Sequence, residues 1–468
     1  MAEKRAKTAL MMMGEEEDRI SELPDSLIQH ILSFLSTKDA VSTCLVSNRW
    51  KLMWYSVSEL SFSDFDWANS KKFYNYVNNY LERRKRGNYF ILDSAITSFK
   101  LHMTNSYQRR MARDLDKWLA FIVEKKVKEI NLRVNKQRSY RGDIHYYSLP
   151  KTLAVNARYL TTLILNSVEL DSRYSFSFPS LKTLTLACVR LVGNDAVDKL
   201  LMGSPSLEKL QLHFCCFSTD TQFRISIQHS LSLKFLDIKL TKDLVERIAL
   251  INLESLYLAS VSFDKIKLSA CKAIRILNLT CCWGKEESSS LEYLISNLPL
   301  LEKLTLCKWK LEHIEISNQH LENLSIHNSC HGVMNVVIKS TPKLTTFIYV
   351  GDVRFRMSME SSNLLFGIFV IKGQENYDIY WFINLMNFLL NLNCSWRCID
   401  IHVKSEEALM FPDILKRVCR SPLVNWKHLR FFTECKPERE SDLKNALQWI
   451  SPTLSIMKRR LSKRFFKL

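Results

Sequence analysis

Residues 178–186 read Phe-Pro-Ser-Leu-Lys-Thr-Leu-Thr-Leu, which places leucines at 181, 184 and 186 in the pattern L-x-x-L-x-L. Alternate residues of an extended chain share one side, so Leu184 and Leu186 point the same way from a short strand. The pattern recurs along the chain. A first copy is Val127, Ile130, Leu132, followed by a longer gap holding Tyr147-Ser148-Leu149-Pro150. Then come Leu160, Leu163, Leu165; Leu181, Leu184, Leu186; Leu207, Leu210, Leu212; and Leu233, Leu236, Ile238. Leu253, Leu256, Leu258 and Ile274, Leu277, Leu279 follow, then Leu301, Leu304, Leu306 and Leu321, Leu324, Ile326. A weaker copy, Leu344, Phe347, Tyr349, closes the series, and after the gap the copies start 20 to 27 residues apart.

Such a period predicts an irregular leucine-rich-repeat solenoid. One repeat cannot bury its own leucines, so stacked repeats supply the core. Pro179, Pro205, Pro299 and Pro342 stand just before the strands, where they end the preceding segment. Cys215 and Cys282 fall where such repeats take Asn or Cys, a structural use of a thiol. Residues between the inward leucines project from the strands: Lys209, Gln211, His213, Phe235, Asp237, Lys239, Ser255, Tyr257, Ile276, Asn278, Lys303, Thr305, Asn323, Ser325 and His327. This mixed polar, basic and aromatic face suits a protein or peptide. The expected target-binding set is Lys209, His213, Phe235, Asp237, Tyr257, Asn278, Lys303 and His327, with the two aromatics as anchors.

A second signature precedes the repeats. Residues 23–55 read LPDSLIQHILSFLSTKDAVSTCLVSNRWKLMWY. Pro24 suits the start of a helix, and Leu27, Ile28, Ile31, Leu32 and Leu35 recur at helical spacing. Ser36-Thr37-Lys38-Asp39 fits a capping box that opens a second helix carrying Val41, Cys44 and Leu45. Ser47 can cap a third, with Arg49, Trp50, Leu52, Met53 and Trp54. So short a bundle cannot bury all this apolar surface alone. It docks on the rest of the chain or on a partner.

The stretch resembles an F-box of the kind found in plant F-box proteins with leucine-rich repeats. The resemblance rests on Leu23-Pro24-Asp25, Ile28, Ile31-Leu32-Ser33-Phe34-Leu35, Thr37-Lys38-Asp39-Ala40-Val41, Val46-Ser47, Arg49-Trp50 and Trp54; Asn48 stands where a basic residue is common. The Tyr-Ser-Leu-Pro and Phe-Pro-Ser-Leu-Lys-Thr-Leu-Thr-Leu elements resemble the same family, whereas no clear match appears to the extra C-terminal domain of some members. The resemblance implies a module that binds the Skp-type adaptor of a cullin–RING ubiquitin ligase, the repeats taking the target. Leu23, Pro24, Leu27, Ile28, Ile31, Leu35, Val41, Leu45, Val46 and Trp50 would then face the adaptor or hold the helices together, and the sequence does not separate those two jobs.

Composition bounds the alternatives. The chain has 468 residues, 47% hydrophobic and 24% charged, as a folded soluble protein would; the helical F-box and the repeat strands together put the expected fold class as α/β. Its net charge of +18 favours acidic partners of any kind. A basic nucleic-acid or anionic-surface binder, or a repeat scaffold without ligase function, are the competing readings; nucleic acid is not the expected partner. No apolar run is long enough to span a membrane, and no secretory leader is evident, so a nuclear or cytoplasmic, reducing location is expected. Thirteen scattered cysteines without C-x-x-C fit that location. Cys394 and Cys398 could share a helix face, but nothing completes a metal set. No G-x-S-x-G, Walker A loop, Gly-rich dinucleotide turn or H-E-x-x-H occurs, so neither catalysis nor a cofactor is expected.

The expected organisation is a polar arm over residues 1–19, the three-helix F-box over 20–57, and a linking region with the solenoid's N-terminal cap over 58–126. The repeats follow over 127–350, divergent C-terminal repeats over 351–456 and a basic tail over 457–468. Within the link, Leu60-Ser61-Phe62 and Phe99-Lys100-Leu101-His102 read as strands. Residues 69–81 and 111–123 read as helices, the first ending in Arg83-Arg84-Lys85-Arg86-Gly87. That cluster is either a nuclear or nucleic-acid signal or the solvated end of a helix. Past Val350 the pattern fades into strands at 366–370, 399–403 and 426–431 and helices at 380–392 and 442–450.

Overall fold

The computed structural model describes residues 20–451 apart from 21, 48, 66, 68, 88–94, 106–108, 139–143, 194, 218–224, 229, 241–244, 262–267, 269, 283–286, 310–311, 329–332, 361–364, 375, 393–395, 423–428 and 435–438. The N-terminal arm, the basic tail, Asn48, Cys394, Trp426-Lys427-His428 and the pair Cys330-His331 lie outside the described residues. The chain divides into two compact units of mixed helix and strand. One comprises residues 1–207 and 215–220; the other comprises 208–214 and 221–468.

The first unit opens with helix α1 (Asp25–Ser33) and helix α2 (Thr37–Ser42). Pro24 sits at the N-cap of α1. The Ser36 side chain accepts from the Asp39 amide at 3.2 Å, as the capping pattern predicts. The third helical segment differs from a regular α-helix. It is a 3₁₀ run, Trp50–Ser56, and Ser47 Oγ accepts from the Trp50 amide at 3.3 Å at its start; the 3₁₀ turn Thr43–Leu45 continues the second helix, where the sequence places Cys44 and Leu45. Three residues per turn stack i and i+3 on one side, so Trp50 and Met53 both reach the small core. That core is Ile28, Leu32, Ala40, Trp50, Met53 and Val57, with Leu23 and Leu35 packed at its margin.

A parallel sheet follows in sequence order: β1 (Glu59–Ser63), β2 (Ser98–Met103), β3 (Glu129–Val134), β4 (Thr162–Asn166) and β5 (Thr183–Ala187). Helix α3 (Ser70–Gly87) connects β1 to β2, and helix α4 (Ala112–Glu124) connects β2 to β3. Here the strand at 98 pairs with the first leucine repeat and the strand at 59 pairs with that at 98, so the array of strands begins before the pattern does. Val168–Asp171, Arg190–Val192 and Cys216–Phe217 form a second parallel ladder with Tyr147–Ser148. From Tyr147 to Phe217 the repeats thus contribute both long and short strands.

The second unit continues the logic with ten parallel strands in sequence order: β6 (Lys209–His213), β7 (Phe235–Lys239), β8 (Ser255–Ala259), β9 (Ile276–Thr280), β10 (Lys303–Trp309), β11 (Asn323–Asn328), β12 (Thr346–Gly351), β13 (Leu365–Ile371), β14 (Trp396–Ser405) and β15 (Leu429–Glu434). The repeat leucines are buried throughout; Leu236, Leu256, Leu279 and Leu301 have no exposed surface. The last three strands extend the sheet where the leucine pattern has faded. Register shifts at Leu365/Phe366 and His402/Ser405 accompany the change to Phe, Val and Ile. Cys398 lies on β14, so a shared helix face with Cys394 is not what the chain forms.

The strand ends explain the cysteines. Ser167, Cys188, Phe214, Ser260 and Cys281 each follow a strand with positive φ, between 49° and 60°. This left-handed step turns the next side chain inward. Those next residues, Val168, Val189, Cys215, Val261 and Cys282, are all buried. Cys215 Sγ donates to the Leu186 carbonyl at 3.4 Å and Cys282 Sγ to the Leu258 carbonyl at 3.6 Å. Each thiol therefore ties one repeat to the backbone of the one before, as its repeat position predicts.

Candidate functional site

Two surfaces carry the residues that the sequence singles out, one in each unit. In the first, α1 divides its stripe between two faces. Ile28 and Leu32 have no exposed surface, whereas Leu27 is 48% and Ile31 39% exposed. The two pairs are each four apart and are offset by one residue, about 100° around the helix, so they lie on neighbouring faces. Phe34 just beyond is 75% exposed and packs edge-on against His30, centroids 4.9 Å apart. Leu45 at 91% and Val46 at 48% add to this apolar surface, as does Ile20 at 49%. Pro24 is exposed, while Leu23, Leu35 and Val41 are half-buried. Trp50, expected among the same set, is buried, and its Nε1–H donates to the Ile20 carbonyl at 3.1 Å.

The residues thus separate into two jobs. Ile28 and Trp50 hold the helices together. Leu27, Ile31, Leu45 and Val46 are turned to solvent, joined by Phe34. Five large apolar side chains of one short bundle are thus exposed: Leu27, Ile31, Phe34, Leu45 and Val46. The bundle is also held firmly to the chain behind it. Thr37 Oγ1 accepts from the Ser61 amide of β1 at 2.6 Å, which gives that edge strand a partner. Arg84, on α3, is 1% exposed and donates to the carbonyls of Trp54 at 3.0 Å and Val57 at 2.9 Å. Desolvation of the buried guanidinium lowers its pKa from the ordinary arginine value. Trp54 stacks between Tyr55 and Tyr80, centroids 3.7 and 4.9 Å away. The basic cluster at the end of α3 is therefore helical, and one of its arginines is a buried clasp. Spacing gave no sign of that role.

In the second unit the outward residues of adjacent strands stand in register. Lys209, Phe235, Ser255, Ile276 and Lys303 form one row, and Gln211, Asp237, Tyr257, Asn278 and Thr305 the next. His213, Lys239, Ala259, Thr280 and Cys307 form a third. Phe235 and Tyr257 pack together with centroids 5.2 Å apart, and Lys209 Nζ lies 4.7 Å from the Phe235 ring. Lys303 is exposed; His213, Asn278 and His327 are half-buried. The structure corrects one position. Asp237 follows the outward alternation but is 4% exposed, because its neighbours close over it. Its Oδ2 lies 2.8 Å from His213 Nε2, and accepts from Gln211 Nε2 and Lys239 Nζ at 3.3 Å each. Further along, Ser325 Oγ and His327 Nε2 are 2.9 Å apart, and burial lowers the His327 pKa, with the Lys372 cation adding to the effect. Arg430 grips Asp400 through Nε at 2.6 Å and Nη2 at 2.8 Å, a paired charge the sequence did not single out.

Residues 20–61 match the family model of the F-box domain, and residues 93–309 match that described as "At1g61320/AtMIF1, LRR domain". Among curated Arabidopsis thaliana proteins, the chain is 32% identical to an FBD-associated F-box protein over 45% of this chain and 47% of that protein. It is 32% identical to an F-box/FBD/LRR-repeat protein over 41% of this chain and 43% of the relative. A second F-box/FBD/LRR-repeat protein is 29% identical over 70% and 73%. The chain therefore spans under half the length of the first two relatives. No helix among the described residues is long and apolar enough to cross a membrane.

Proposed function

Because the chain joins an F-box domain to a leucine-rich-repeat domain and has Arabidopsis F-box/FBD/LRR-repeat proteins as homologues, we propose that it is the substrate-recognition subunit of an SCF-type cullin–RING ubiquitin ligase. On this reading the two α-helices and the 3₁₀ turns are the three-helix F-box, and the ordered parallel strands are an irregular solenoid. The observation that carries it is the split of α1, which leaves Leu27 and Ile31 uncovered while Ile28 and Leu32 build the core. A self-sufficient bundle would bury both pairs. The uncovered side, extended by Phe34, Leu45 and Val46, takes the Skp-type adaptor and through it the cullin. The strand face takes the target.

The contribution is non-catalytic. Holding a target beside the charged conjugating enzyme raises its effective concentration and orients it, with no bond chemistry asked of this chain. The complex would work in the nucleus or cytoplasm. A pull-down with a purified Skp-type adaptor tests the reading, comparing wild type with Leu27→Asp/Ile31→Asp. Both positions are exposed, so the variant folds while its docking surface is charged. Capture of wild type and loss in the variant is the expected result. A folded wild type that captures no adaptor sinks the ligase reading and leaves a repeat scaffold.

A further inference from the structure

We propose that the outward face of β6–β10 binds an acidic, extended segment of a partner protein, with Phe235 and Tyr257 seating one of its apolar side chains. The proposal deepens the receptor reading and rests on it, since it names the chemical class that the target-binding face takes. It comes from charges that register brings together from distant parts of the sequence. Lys209, Lys239 and Lys303 project from three of these five strands. Among the described outward residues of the same strands, Asp237 is the only carboxylate, and it is withdrawn. At 4% exposure, with contacts from His213, Gln211 and Lys239, it spends its charge inside the cluster. On these three rows a partner therefore meets ammonium groups; Glu208, Glu254 and Glu302 stand one residue earlier, at the strand entries, alternating there with Lys234 and Arg275.

The spacing fits an extended chain. Parallel strands lie about 4.8 Å apart, so Lys209 and Lys303, four strands from each other, are separated by roughly 19 Å. About six residues of an extended peptide cover that distance at roughly 3.3 Å each. Between the lysines in that row stand Phe235, Ser255 and Ile276, and the next row adds Asn278; the short polar side chains of Ser255 and Asn278 can donate to or accept from a backbone laid across them. Phe235 stands on this path and Tyr257 beside it in the next row, both half-buried. A nucleic acid fits less well. Lys209 covers the Phe235 ring, and Phe235 and Tyr257 lean on each other at 32°, which leaves no open stacking platform. Three lysines are also few beside the phosphates that a nucleic-acid interface commonly neutralises.

Fluorescence anisotropy of the full chain tests this with three labelled probes. The first is a peptide of about twelve residues, made of glutamate and glycine with one central leucine. The second is its lysine counterpart, and the third an oligothymidine strand of the same length. The acidic peptide is expected to bind at least about tenfold more tightly than the basic one. Lys209→Glu/Lys303→Glu should remove that preference, since rim charges reversed in sign repel the same ligand. Tyr257→Ala should weaken the leucine-bearing peptide and leave a leucine-free acidic peptide unchanged. Equal binding of the two peptides, or no effect of the double variant, overturns the proposal. Tighter binding of the oligonucleotide through the same lysines replaces it with a nucleic-acid surface. Adaptor capture measured on the same samples reports on the ligase reading separately and on the folding of each variant.

Discussion

Arg84→Met should loosen the junction between the N-terminal bundle and the sheet behind it. The guanidinium is 1% exposed and makes two charge-assisted hydrogen bonds, to Trp54 O at 3.0 Å and Val57 O at 2.9 Å. Methionine has a similar reach and an apolar end, so it keeps most of the packing and returns the cost of burying a cation. What it cannot do is satisfy the two carbonyls. Each orphaned acceptor costs about 1–3 kcal/mol. The relieved desolvation offsets part of that cost, as the lowered Arg84 pKa indicates, so a net loss of about 2–4 kcal/mol is expected. For a unit of this size that corresponds to a fall of about 4–16 °C in melting temperature. Arg84→Lys should fall between, because one ammonium lacks the fork that serves two carbonyls. The control is Arg83→Met, an exposed neighbour on the same helix turn. Calorimetry and denaturant titration on the three variants give the comparison. A melting temperature for Arg84→Met within error of the Arg83→Met control would refute the clasp.

Three other substitutions probe separate parts. Leu32→Ala, at a position with no exposed surface, should cost about 2–5 kcal/mol of stability. Leu45→Ala, at 91% exposure, should stay within about 0.5 kcal/mol of wild type yet weaken adaptor capture. Cys215→Ala should lower stability by about 1–2 kcal/mol through the lost packing and the unpaired Leu186 carbonyl, while Cys216→Ala, an exposed neighbour, should be close to neutral. His327 gives a pH test. Its folded pKa lies below the ordinary value of about 6.5, so the unfolded chain binds more protons in the window between the two. Stability present above pH about 6.5 is lost as the pH falls through that window, and His327→Gln should flatten the change between pH 7.5 and 5 in a melting series.

Where burial follows a fixed period, the sequence was a good guide. Every leucine triplet from Leu160 to Tyr349 became a strand or its entry, because alternation is the only way a short parallel strand can present two leucines to one core. Cys215 and Cys282 were legible for the same reason: their offset from the leucines assigns them the inward position after the left-handed turn. Beyond Val350 the sheet went on while the spelling changed. Phe369, Val370, Ile399 and Ile401 bury as well as leucine does, and register shifts break the spacing a repeat search depends on. Charged residues were the least legible. Arg84 sits in a run of four basic residues, and helix phase alone turns it inward while Arg83 and Lys85 stay exposed. Asp237 obeys the outward alternation and is nevertheless buried, because its exposure is decided by His213, Gln211 and Lys239, two of them on the neighbouring strand.

That burial is what gives the strand face its sign. If Asp237 were exposed, the face would carry an alternating pattern of charge with no preference between acidic and basic partners. With it withdrawn, Lys209 and Lys303 act on a ligand with no exposed carboxylate on their own rows, and Lys239 is shared between ligand and Asp237. Asp237→Asn therefore distinguishes a structural from an electrostatic role. The amide keeps the shape but removes the negative charge that Lys239 now partly neutralises. If the cluster shapes the face as argued, the variant loses some stability and binds the acidic peptide more tightly, since the lysines no longer divide their field. If peptide affinity falls with stability in the same variant, Asp237 is holding the face in place and the charge it hides does not set the preference.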